Sequence, residues 1–166
     1  MRPESSDWSR RGPGEDVLGA VVPVGLFLVQ SEQLVVGLSH LIAYPTGCTL
    51  EIRETRLGDD SLDNFDQMVF SARFGEVTAR LYDKTAPRWT PAGQPALMLT
   101  ESGSERTSGP GRSDGTRRLW LSPLPPPEPG TLSVGFPDLG PDLCSCPLDG
   151  AAIVAAGGRA KAYWRP

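Results

Sequence analysis

One histidine, three cysteines, a run of aspartates and a tryptophan beside an arginine are the side chains whose type and spacing could do chemistry in this 166-residue sequence. His40 is the sole histidine, so any histidine-based acid–base or nucleophilic mechanism would have to pass through it. It stands two residues from Leu38 and Ile42, in step with Val36 and Tyr44, on what reads as the apolar face of a strand. That phase predicts a neutral core imidazole, hydrogen-bonded to Tyr44 or to a backbone carbonyl. No Gly-x-Ser-x-Gly elbow and no nucleophile beside a base is legible. The glycines of "GPGRSDGT" and "AAGGRA" lack the strand-to-helix setting of a phosphate loop. An enzyme working through His40 is therefore the least favoured reading.

Cys48, Cys144 and Cys146 are an odd number, far from a dense disulfide framework. With one histidine to help, they fall short of the ligands a closed zinc site needs, so no metal or other cofactor is expected and the thiols read as buried and inert. Such usage fits a reducing compartment, the cytoplasm. Asp59, Asp60, Asp63 and Asp66 carry oxygens at spacings like those of a calcium loop. The loop's glycine and closing glutamate are missing, which leaves a solvated acidic turn.

Trp89 beside Arg88, in a proline-bounded segment, is the remaining candidate: aromatics and arginine supply most of the energy of protein interfaces. These two residues are the expected binding site, for a protein partner. The rival is a small ligand or carbohydrate held on a concave sheet face, which would need Arg73, Arg80, Tyr82 and Trp120 to form one aromatic-lined groove.

What positions these residues is a chain of ordinary single-domain length. Sixteen basic against twenty acidic residues leave a net charge of −4, with no positive field to steer it toward nucleic acid. The stretch "SRRGPGEDVLGAVVPVGLFLVQ" imitates a secretion signal, but Glu15, Asp16 and Pro23 interrupt it and no small-residue cleavage site follows. Val17 to Val29 is also shorter than the roughly 20 apolar residues of a membrane span. The expected organisation is a disordered arm over 1–16 and one domain over 17–166.

Within that domain, two-residue alternation predicts strands at Val24–Val29, Leu34–Tyr44, Cys48–Thr55, Met68–Phe74, Val77–Leu81, Leu97–Thr100, Arg117–Leu121 and Leu132–Phe136. Leu34–Tyr44 is apolar on both faces and should be central. Its neighbour, after the turn "YPTG", should bury Cys48, Leu50 and Ile52 and turn Thr49, Glu51, Arg53 and Thr55 to water, with Glu54 and Arg56 continuing a salt-bridged solvent face. "ESGSERTSGPGRSDG" has the composition of a flexible loop, taken as 101–116. The alanines after Asp149 predict a short helix over about 149–160, capped by that aspartate, with Ile153, Val154 and Ala156 or Gly157 on its buried face and Trp120 as its floor. About eight short strands make this an all-β antiparallel sandwich, immunoglobulin-like in general architecture, with a C-terminal helix.

The run "LPPPEP" between the last two strands has the spacing that proline-reading grooves bind. Both its ends are pinned by strands, however, and a stiff proline segment advances about 3.1 Å per residue, enough to carry the chain from one sheet to the other. It reads as a corner. Taken in order, "HLIAYPTGCTLEIR", "LWLSPLPPPEPGTLSVGFPDLG" and "LDGAAIVAAGGRAKAYW" resemble a family of soluble actinobacterial proteins of uncharacterised function, in which a YPTG strand end, an LWPLPPPGPL-like corner and an LDGA helix recur. The resemblance implies an intracellular sandwich with a terminal helix and brings no catalytic residue or ligand. The chain departs from that pattern at Ser122, where an aromatic is common in the family, and at Gly135-Phe136, where Glu-Trp is common. The functional expectation is a non-catalytic cytoplasmic protein-interaction module, with small-ligand or carbohydrate binding as the alternative.

Overall fold

Alternating apolar side chains generate strands, and in the computed structural model, which describes residues 12–58, 68–80, 95–105, 111–136 and 140–164, those strands form antiparallel sheets. The elements are β1 (Val17–Leu18), β2 (Ala20–Gln30), β3 (Leu34–Tyr44), β4 (Gly47–Leu57), β5 (Val69–Phe74), β6 (Val77–Arg80), β7 (Ala96–Glu105), β8 (Arg112–Ser122), β9 (Pro129–Phe136), β10 (Gly140–Asp149), α1 (Gly150–Arg159) and β11 (Lys161–Ala162). A five-stranded sheet has the order β2-β3-β4-β8-β7 and a four-stranded sheet the order β10-β9-β5-β6; β1 and β11 form a two-stranded ribbon. This is the all-β sandwich that the alternation predicts. No helix among the described residues is long and apolar enough to cross a membrane.

The two large sheets share one core. Leu50, Ile52, Leu119 and Leu121 of the five-stranded sheet meet Phe70, Leu132, Val134 and Leu148 of the four-stranded one, all buried. Each such side chain contributes about 1.5–3 kcal/mol by leaving water. Central β3 and inward Cys48, Leu50 and Ile52 are as the pattern predicts.

The phase of β3 is not. Its register with β4 shifts between Leu38↔Ile52 and His40↔Glu51, a bulge with Ser39 as the extra residue. One inserted residue exchanges the faces of everything beyond it. Val36 and Leu38 point into the core, but so do Leu41 and Ala43, while His40, Ile42 and Tyr44 turn to the outer face. The predicted core histidine is thus an outer-face histidine.

Three further expectations change. The stretch 101–116 is mostly hairpin, because β7 runs to Glu105, β8 starts at Arg112 and they pair through Glu105↔Asp114; backbone hydrogen bonds extend a strand whatever its composition. Thr49 and Glu51 are outward but only 8 % exposed each, so that face of β4 is covered at these two positions and opens to water at Arg53. Trp120 is not the floor of the helix: it is fully buried on the outer face, edge-on to Tyr44 at 5.8 Å, while Ile153 and Ala156 of α1 join the core.

The proline run is a corner, carrying the chain from β8 in one sheet to β9 in the other. Helix α1 closes over it. Asp149 caps the helix by accepting from Ala152 N at 3.0 Å, and Gly150 and Gly157 sit where a Cβ would strike Glu128 O and Leu124 Cδ1.

Candidate functional site on the outer face of the five-stranded sheet

Because of the bulge, Ser39 and His40 stand on the same outer face as alternate residues of β4 and β8. Glu51 is the hub. Its carboxylate lies 3.6 Å from His40 Nε2, 3.3 Å from an Arg53 terminal nitrogen and 3.5 Å from Arg118 Nε. The glutamate side chain is 10 % exposed, whereas those of Arg53 and Arg118 are 69 % and 47 % exposed. One buried carboxylate therefore holds two guanidiniums at the surface.

Beside this cluster lies a hollow of about 250 Å³. Gly37 forms its floor, since it pairs with Phe27 on one side and Arg53 on the other and puts no side chain between them. Phe27, 57 % exposed, walls the hollow, and Ser39, Arg53 and Thr55 supply its polar edge. A shallow apolar slot bordered by an arginine is the arrangement in which an incoming apolar side chain and an acidic group are both accommodated.

Ser39 Oγ and His40 Nδ1 share a hydrogen bond of 2.8 Å, and Glu51 faces the other ring nitrogen, so three residue types of a hydrolytic triad come together. Sequence reasoning missed this set because neighbours on a regular strand point to opposite faces; only the bulge unites them. The orienting contact, however, is 3.6 Å long, beyond hydrogen-bond reach, and the carboxylate that would steady an imidazolium already serves two guanidiniums. The cluster has the geometry of a charged docking surface more than of a proton relay.

The opposite face of the same strands carries a second ion pair. Glu54 and Arg117, each 10 % exposed, face the core, with Arg117 Nε 3.3 Å from Glu54 Oε2. Gly115 makes the room, because a Cβ there would lie 2.7 Å from Glu54 Oε1. The predicted solvent face of Glu51, Arg53, Glu54 and Arg56 is thus split: Glu54 lines the interior. The three cysteines are free; burial pushes the Cys48 thiol up to about 12 and that of Cys146 up to about 11, leaving both protonated at neutral pH. Tyr44 is raised by burial and by nearby Tyr163, against a lowering by Arg118.

The predicted binding pair, Arg88 and Trp89, lies outside the described residues, as do Tyr82 and the acidic connector Asp59, Asp60, Asp63 and Asp66. The rival groove does not assemble, since Arg73 is in the four-stranded sheet, bonded to Gly75 O at 2.9 Å, while Trp120 is buried in the five-stranded one. Among the described residues no group of three or more His, Cys, Asp or Glu side chains could hold a metal. Comparison with protein-family models, curated proteins and solved structures finds no match to this chain.

Proposed function

We propose that this chain is a non-catalytic protein-interaction module of the cytoplasm, which takes a polypeptide segment bearing an apolar and an acidic side chain on the outer face of its five-stranded sheet. One observation carries the reading. Of the eight large apolar side chains exposed among the described residues, six (Leu18, Val21, Leu26, Phe27, Tyr163 and Trp164) belong to β1, β2 or the residues just after β11, which pairs with β1. Exposed apolar side chains gathered at one edge, next to arginines held upright by a buried glutamate, are the ingredients of an interface hot spot. The free thiols fit a reducing compartment.

Photo-crosslinking tests it. Benzoylphenylalanine in place of Phe27, in cells of the source organism, is expected to give a defined protein adduct that disappears with Arg53→Glu, whereas the same residue in place of Arg73 gives none. Equal adducts from both positions would remove the case for this face. Labelling of Ser39 by a fluorophosphonate would overturn the non-catalytic part.

A further inference from the structure

A second concavity opens between the sheets, on the other side of Leu26 from the outer-face hollow's Phe27 wall. It measures about 520 Å³, within the roughly 300–1,000 Å³ range of small-molecule sites. Leu41, Leu148 and Ile153, all core residues, make its floor, and Val22, Val24 and Ala152 line its walls. The bordering strands, β2 and β10, are the terminal strands of their respective sheets, so the concavity lies where the sandwich is open along one side.

Open strand edges ordinarily invite another strand. Here Pro23 lies within β2 and Pro147 within β10, and Pro129, at the start of β9, also lines the space. Proline has no N–H to offer a ladder, so neither edge presents an unbroken row of donors and a strand entering the opening could not zip onto it. Asp149 is the sole ionisable side chain in the lining among the described residues, and its carboxylate already accepts from Ala152 N. An anionic group would meet a negative charge, with no cation in the lining among the described residues. Volume, apolar floor, proline-blocked edges and a lone carboxylate together select one class of occupant.

We infer that the cleft between β2, β10 and α1 binds an uncharged small molecule with an extended apolar body, such as a medium-chain alcohol or the hydrocarbon part of a neutral amphiphile. The cleft shares Leu26 with the outer-face hollow, whereas Phe27 lines the hollow and not the cleft. Burial of each further methylene in the apolar space should tighten binding about fourfold, the equivalent of about 0.8 kcal/mol, until the space is full.

The test uses Nile red, a neutral dye whose emission rises in apolar surroundings, displaced by linear alcohols of increasing length. Saturable one-site binding, the fourfold step per methylene and weaker competition by alkanoates of equal length are expected. Asp149→Asn keeps the helix cap but removes the charge, and should narrow the gap between alcohol and alkanoate. Filling the space with Ala152→Phe or Val24→Trp should weaken dye binding about tenfold, while Phe27→Ala leaves it unchanged. In the unaltered protein, octanol should shift the methyl resonances of Ile153 and Val24. Absence of saturable binding, insensitivity to both filling variants in folded form, or octanol shifts confined to other methyls would overturn the inference.

Discussion

Glu51 and Glu54 stand on one strand, three residues apart, with equally buried side chains and opposite tasks. Glu51 points outward and is surrounded by partners that remain largely in water, Arg53 and Arg118, with His40 29 % exposed. Glu54 points inward to an arginine as buried as itself. The outer carboxylate can lend its partners to a ligand, because a guanidinium at the surface loses little by changing one acceptor for another. The inner pair has no such freedom: removing Arg117 strands the desolvated Glu54 carboxylate on the inner face. On the function proposed above, similar ion pairs on the two faces of a sheet would serve recognition on one side and structural integrity on the other.

The largest effect is expected where that contrast is sharpest. Arg117→Ala alone should cost about 3–5 kcal/mol of stability in urea unfolding, while the apolar double replacement Glu54→Leu with Arg117→Met should recover most of it. If Arg117→Ala costs less than about 1 kcal/mol, the inner pair behaves like a surface pair and the comparison fails.

Next comes the alkaline limb. The Cys48 thiol, on the inner face, is raised in the folded state, so its contribution is fully present below the unfolded value near 9 and is lost as pH rises toward about 12. Cys146 acts in the same sense up to about 11. Unfolding free energy measured from pH 8 upward should fall by up to about 1.4 kcal/mol per pH unit for each thiol, and Cys48→Ala should flatten that slope. An unchanged slope in the variant would assign the loss elsewhere, with Tyr44 the next group to test.

A smaller effect belongs to the helix that seals the corner. Asp149→Ala should cost about 1 kcal/mol, with Asp149→Asn recovering most of it, measured by thermal unfolding. Smallest in stability is Arg53→Ala on the outer face, at about 0.5 kcal/mol or less. The same change should weaken partner binding about tenfold or more by titration calorimetry with the crosslinked partner. A variant that lost stability without losing partner would reverse the roles assigned to the two faces.

Much of this architecture is legible in the residue pattern, and the failures are physical. Leu50 and Ile52 alternate with polar neighbours and are buried as they should be; the prolines between Ser122 and Pro129 turn a corner because strands hold both ends. Strand β10 escapes notice because Pro141 and Pro147 read as loop, yet an edge strand tolerates residues that donate no hydrogen bond. The triad-like grouping of Ser39, His40 and Glu51 leaves no trace in the pattern, since Leu34–Leu38 before it and Leu41–Ala43 after it are apolar or glycine at every position and either phase fits.

By itself, then, the chain's alternation of apolar and polar side chains determined that strands would form, how they would pair locally and that a capped helix would close the end, because each of those depends on neighbours within a few residues. Which face His40 and Glu51 occupy, which carboxylate is interior, and where the sandwich stays open depend on a single inserted residue and on strands distant in sequence. Register is a property of the pair of strands, and only the assembled sheets decide it.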